Sequence, residues 1–221
     1  AVLLLETRWL LGLAERRRHR VWPCLGRGRM ALTPLPQLAS GSLQMRRFTL
    51  SDSHEFSKLH ADPDVMDDLG GPIDPREAEA KLKTYIDAWA RFGYGRFAVF
   101  ERDCFAGYVG VMHHTKQDHP LGPHDEIGWR LNQAFWGKGV AFRAAELALH
   151  DAFHRIGLSS VLSYTAPDNH RSQAVMHRLG LSRRSDMDFS EHYPSVGIWE
   201  GHVWSITAEA WSTSQRSGGI E

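Results

Sequence analysis

Residues 126–165 carry a pattern that a chain can satisfy in few ways. Glu126-Ile127-Gly128-Trp129-Arg130-Leu131 alternates in the manner of a strand. Phe142, Ala145, Leu149, Ala152, Phe153 and Ile156 then recur at helical spacing, and Gly157 ends the helix. Ser160-Val161-Leu162-Ser163-Tyr164-Thr165 reads as a buried strand. A strand, a crossover helix and a second strand bring two parallel strands side by side. The junction Trp136-Gly137-Lys138-Gly139-Val140-Ala141 falls at the carboxyl end of the first, where ligands bind in such units.

That junction has the makings of a phosphate cradle. The first-turn N–H groups of a helix have no intrahelical partner, and the aligned peptide dipoles add about half a positive charge there. Gly137, Gly139 and Ala141 carry nothing beyond a methyl, so a pyrophosphate can come close to the backbone. A Walker-type loop is excluded, because Gly139 follows Lys138 where Ser or Thr is needed for magnesium. A dinucleotide fingerprint is weak, because Phe142 stands at the third glycine position. A tight turn whose glycines serve only backbone conformation is the alternative for the hexapeptide taken alone.

The rest of the chain sets the context. Its 221 residues, 42% hydrophobic and 24% charged, suit one soluble domain with an appendage. Zero formal net charge offers nucleic acid no global attraction. Cys24 and Cys104 are far apart and lack metal-ligand spacing, which fits a reducing cytoplasm. No apolar run reaches the roughly 18 to 20 residues of a membrane span. Residues 1–41 differ from the remainder: Arg8, Arg16, Arg17, Arg18, Arg20, Arg27 and Arg29 face only Glu6 and Glu15. They read as a poorly ordered Arg-rich extension, with Met30 a candidate natural start and a transit peptide or anionic-surface arm the alternative.

From Ser42 onward the pattern is globular. A first strand is expected around Leu43, Met45 and Phe48, and a helix over 54–60. Pro75 opens a long helix that closes at Gly93, and a hairpin of strands over 97–100 and 108–112 turns at Glu101-Arg102-Asp103. Trp89, Phe92, Tyr94 and Phe97 are expected in the core. After Asn169-His170-Arg171-Ser172 come a short helix, a strand within 181–189 and another over 202–206. Trp211 is expected to turn outward and residues 213–221 to form a flexible tail.

With these residues placed, the chain resembles the GNAT superfamily of acyl-CoA N-acyltransferases, in particular the branch containing the ribosomal-protein N-terminal alanine acetyltransferases. The resemblance spans residues 42–212. It rests on Leu43-x-Met45-Arg46, Asp62-Pro63-x-Val65, Glu126-Ile127-Gly128-Trp129, the hexapeptide 136–141, Asn169-x-x-Ser172 and Leu179-Gly180-Leu181, in that order. Trp136 departs from the Gln or Arg of many superfamily members but is usual in this branch. The implied fold is α+β (mixed α/β) and three-layered. Its central, mostly antiparallel sheet has six to seven strands with one parallel splayed pair, flanked by about four helices.

The resemblance also implies a chemistry. Acetyl-CoA would lie in the splayed gap, bound by Leu131, Trp136, Gly137, Lys138, Gly139, Val140, Ala141 and Phe142, with Asn169 and Ser172 along its arm. A backbone N–H near Leu131 would polarise the thioester carbonyl as a primary amine attacks. Glu126 would be the base, directly or through water, or else a hydrogen-bonded structural carboxylate. Ser172 would donate to the thiolate or cap the following helix. Asn169 would orient the cofactor or a water, and Tyr193 is a weaker acid candidate. The expected partner is a peptide or small-molecule amine, with no nucleic acid and no membrane, in a cytoplasmic monomer or homodimer. A non-catalytic acyl-CoA-binding protein is the alternative. His113, His114, His119 and His124, with Asp118 and Asp125, have donors that would suit zinc. Their spacing matches no helix-borne pair, so a histidine-rich loop without metal is expected.

Overall fold

A computed structural model describes residues 37–193 and 197–217. Most of the Arg-rich stretch, including Met30, therefore lies outside the described residues, as do residues 218–221. The first element, β1 (Leu38–Ser40), falls inside the stretch expected to be an extension and pairs with β2 (Leu43–Arg47).

Two short helices follow, α1 (Ser53–Ala61) and α2 (Pro63–Met66). Asp62 separates them. Its carboxylate accepts the N–H groups of Asp64 and Val65, and Pro63 fills a first-turn position that needs no donor. The long helix α3 (Pro75–Phe92) opens on a capping box: Asp74 accepts from Arg76 and Glu77, and the Glu77 side chain accepts from the Asp74 N–H. Gly93, at φ 78°, closes it in a conformation that glycine adopts without a Cβ clash.

Strands β3 (Arg96–Glu101) and β4 (Cys104–His114) turn at Arg102 and Asp103, which both take positive φ as a two-residue hairpin of primed type requires. Next come β5 (His124–Leu131), α4 (Val140–Asp151), β6 (Ser160–Thr165) and α5 (His170–Arg178). A turn of π-helix (Ala152–Ile156) prolongs α4 to Gly157. The chain then runs through β7 (Ser182–Arg183), β8 (Phe189–Tyr193), β9 (Gly197–Thr207) and α6 (Ala208–Ser217).

The sheet runs β1-β2-β3-β4-β5-β6-β9-β7, with β8 on the outer half of β9. Among the described residues only β5 and β6 pair in parallel. Side-chain alternation divides the core. Phe97, Val99, Val109, Val111 and Ile127 pack with α4, whereas Ala98, Tyr108 and Met112 pack with Phe56 and Leu59 of α1 and Leu82 and Tyr85 of α3. The result is the expected mixed, three-layer architecture.

Three expectations need correction. Among the described residues the sheet has nine strands rather than six to seven, because β1 adds an edge and short pieces pair along both halves of β9. No continuous strand fills 181–189: two residues pair as β7, a turn over Ser185–Met187 breaks the run, and β8 starts at Phe189. Trp211 turns inward; it is 1% exposed and seats α6 against the α4 side of the core.

Candidate active site at the splayed strands

The one parallel pair opens almost as soon as it forms. β5 and β6 pair at Glu126 opposite Leu162, and the Ser163 hydroxyl donates to the Ile127 carbonyl at 2.8 Å. Toward their carboxyl ends the strands frame a cavity of about 100 Å³. Glu126, Trp129 and Arg130 line it from β5 and Tyr164 and Thr165 from β6, with Ser172 of α5 beside them. The Trp129 indole N–H donates to the Ser172 hydroxyl at 3.3 Å, spanning from β5 to α5.

The glycine loop stands beyond the end of β5. Gly137 and Gly139 sit at φ 69° and 72°, the left-handed region, and a Cβ on either would meet nothing within 4 Å. Backbone conformation therefore demands these glycines, and the space above them is open. Gly139 caps α4 without a side chain, so the cap residue makes no side-chain hydrogen bond to the first-turn N–H groups. Val140 is buried, anchoring that turn, while Lys138 is exposed. Trp136 donates its indole N–H to the Leu131 carbonyl at 2.8 Å, tying the loop to β5. The Arg171 guanidinium lies 4.1 Å above the Trp136 ring, and Arg178 lies 4.1 Å above Phe142. An open helix end of this kind fits a phosphate group.

Glu126 is in the cavity wall, but it does not stand alone. Its carboxylate pairs with Arg96 of β3, and His114 Nε2 lies 3.5 Å from Glu126 Oε2. Burial pushes the carboxyl upward, yet the Arg96 charge and hydrogen bond, with His114 close by, outweigh it and hold Glu126 at about 2. The group is therefore a buried anion at neutral pH.

Asn169 and Ser172 divide their work differently from the alternative in which Ser172 caps the helix. Asn169 is the cap, accepting the Ser172 N–H at 3.1 Å, which leaves the Ser172 hydroxyl in the cavity wall. The Asn169 amide also donates to Asp68 at 2.8 Å, and the other Asp68 oxygen accepts from Arg130 at 3.0 Å. Tyr193 ends β8 opposite Gly197; its side chain and residues 194–196 lie outside the described residues.

The histidines divide into two groups. His113 pairs with Asp125 at 2.9 Å, and the Tyr94 hydroxyl donates to the same carboxylate at 2.5 Å. His114 stacks on His124 with centroids 4.7 Å apart, and His119 and Tyr164 pack beside them. Burial, helped by the neighbouring His124 and His114, lowers His119 to about 4. Asp118 faces Lys116 at 3.8 Å. Among the described residues no group of His, Cys, Asp and Glu is arranged to hold a metal ion.

Sequence reasoning missed Arg96 as part of this site, whereas Asp68 and Trp199, which also line the cavity, fall in the 62–74 and 192–199 segments expected to set the acceptor. An arginine in an otherwise apolar strand, with glycines inside two later strands at Gly110 and Gly128, was the available signal.

Comparison with known proteins agrees with this geometry. The acetyltransferase (GNAT) domain family matches residues 42–182. The FsC-acetyl coenzyme A-N(2)-transacetylase of Aspergillus fumigatus is 30% identical over 202 residues, 88% of this chain and 80% of its own length. The ribosomal-protein-S5-alanine acetyltransferase of Vibrio fischeri superposes with a TM-score of 0.63 at 18% identity, over 80% of this chain and 98% of that one. Microcin C7 self-immunity acetyltransferase MccE, solved with acetyl-CoA and AMP, gives a TM-score of 0.64 at 14% identity, over 80% and 98%. At such identities the two structures speak for the fold alone, whereas the domain match covers more than half of the sequence. A splayed parallel pair beside an open, glycine-capped helix end, matched along most of its length to this domain, makes the chain a member of the GNAT acetyltransferase family.

Proposed function

We propose that the protein transfers an acetyl group from acetyl-CoA to a primary amine, by direct attack within a ternary complex. The observation that carries this reading is the pairing of β5 and β6 at Glu126 and Leu162, with a polar cavity at their open ends and the bare first turn of α4 nearby. Family membership and the 30% identical relative, whose name specifies acetyl coenzyme A and an N(2) position, support it. The finer placement in the alanine acetyltransferase branch draws on Trp136 and on the Vibrio fischeri neighbour. The acceptor is then a peptide N-terminus or a small-molecule amine.

Acetyl-CoA supplies an acyl group activated as a thioester. Gly137, Lys138, Gly139, Val140, Ala141 and Phe142 would hold its diphosphate through backbone amides, with Trp136 fixing the loop and Leu131 close to the acyl end. In the cavity Glu126 is a fixed anion. It draws the acceptor's ammonium into place and orders the water through which the amine proton leaves, a role suited to a carboxylate that stays ionised. The Ser172 hydroxyl, oriented by the Trp129 indole, is placed to donate to a departing thiolate. Asn169 orders the start of α5 and so fixes Ser172.

Calorimetry with acetyl-CoA and thiol release with a panel of amines test the proposal. Micromolar binding together with amine-dependent thiol release is the expected result. Binding without turnover on any amine would make the chain an acyl-CoA-binding protein instead, and no binding would reject both readings.

A further inference from the structure

Two neighbouring strands give up side chains along one line, and a third strand fills that line with an arginine. Arg96 of β3 lies opposite Gly110 of β4, and Gly110 lies opposite Gly128 of β5. All three positions fall on the α3 face of the sheet, as does Glu126 two residues before Gly128. The Arg96 side chain runs along this line. Its Nη1 donates to the Gly110 carbonyl, and to the Glu126 and Gly128 carbonyls at 3.3 and 3.2 Å; its Nη2 pairs with the Glu126 carboxylate. The glycines are what make room. A Cβ on Gly128 would lie 2.5 Å from Glu126 Oε1 and 2.8 Å from Arg96 Nη2. A Cβ on Gly110 would lie 2.5 Å from the Gly95 carbonyl oxygen and 2.9 Å from Arg96 Cα, where β3 and β4 come close. Arg96 is 6% and Glu126 7% exposed, so the pair is shut from solvent except through the cavity.

The cost of burying a charge explains why the arrangement is so complete. An unpaired carboxylate at this depth would take up a proton rather than remain ionised. The planar guanidinium fork satisfies a carboxylate and backbone carbonyls together, which the single ammonium of lysine cannot do in one place. We propose that Arg96 is a positioning residue for acetyl transfer: it fixes the Glu126 carboxylate and the carbonyls of β5 at the strand opening, and Gly128 is glycine to admit the pair. This inference rests on the acetyl-transfer reading for its kinetic consequence. The titratable and charged groups around Glu126 besides Arg96 are His114 of β4, His124 and Arg130 of β5, Lys81 of α3, and Asp68 ahead of α3. The phenols of Tyr108 and Tyr164 line the same cavity.

Full-length Arg96→Met, Arg96→Lys and Gly128→Ala variants test the assignment, with Glu126→Gln identifying the Glu126 signal in carbon NMR of glutamate-labelled protein. Acetyl-CoA affinity should stay within threefold of wild type, because the glycine loop is untouched. The kcat should fall tenfold or more in Arg96→Met and in Gly128→Ala, the latter without any change of charge. The Glu126 titration midpoint and the acidic limb of the kcat profile should move together to higher pH in Arg96→Met. If Arg96→Met does not fold, Arg96→Lys carries the test, with a smaller shift in the same direction. A residue that only held the fold together would lower thermal stability and leave the Glu126 midpoint in place. That result, or unchanged kcat in both Arg96→Met and Gly128→Ala, overturns the assignment. If wild type acetylates no amine, the transfer reading fails on its own, and the Glu126 midpoint in the variants still decides whether Arg96 governs that carboxylate.

Discussion

His60 illustrates how a single side chain can make the fold sensitive to acid. Its ring is fully buried among Phe56, Tyr85 and Tyr108, with the Phe56 carbonyl 2.9 Å from Nδ1. A carbonyl only accepts, so Nδ1 carries the hydrogen and Nε2, which has no partner, keeps a lone pair. Burial lowers the imidazole to about 2, with the charges of Lys81 and Arg130 adding to it. The folded value lies below the unfolded value of 6.5, so the stability contribution is complete above 6.5 and is lost as pH falls below it. One such histidine removes about 2 kcal/mol between pH 7 and pH 5. Urea unfolding of His60→Gln should show a pH-dependent loss smaller than that of wild type by about this amount. His119, lowered in the same direction, should contribute equally to both proteins.

At the scale of elements, the glycine loop and the end of the chain were legible to different degrees. The strand, loop and crossover helix were readable because alternation, glycine placement and helical spacing are local properties, and Gly137 and Gly139 adopt the left-handed conformations that glycine favours. If the loop holds a diphosphate through its amides, changing its backbone should matter more than removing its charge. Gly139→Val, forced to φ 72°, should weaken acetyl-CoA binding at least tenfold, and Lys138→Ala less than threefold, as measured by calorimetry. The stretch 181–189 was not readable in this way. Its β propensity is interrupted by Ser185–Met187, where Arg184 and Asp186 pair locally at 2.7 Å and the chain turns before resuming at Phe189. Trp211 was misjudged because a lone tryptophan among polar residues carries no period; only the packing of α6 on the core reveals its direction.

For the molecule as a whole, the layered α+β order was legible from the succession of elements, but the site was legible only where one segment builds it. Glu126, Asn169 and Ser172 follow from local motif resemblance. Arg96 is separated from Glu126 by thirty positions and two strand registers, and no single-sequence pattern fixes both registers at once. Acetyl-CoA at a hundredfold excess over its Kd should stabilise the fold by about 2.7 kcal/mol, or roughly 5 to 10 °C in Tm by calorimetry, and a tenfold weakening in Gly139→Val should cut the shift to about half at the same concentration. The tie through Asp68 extends this to the mouth of the cavity. One carboxylate fastens the turn after α2, through Arg130, and the start of α5, through Asn169, across a hundred and one residues of chain. The two walls of the entrance therefore share one carboxylate, and if that contact couples two substrates, whatever factor the first lends to the second must be returned by the second to the first.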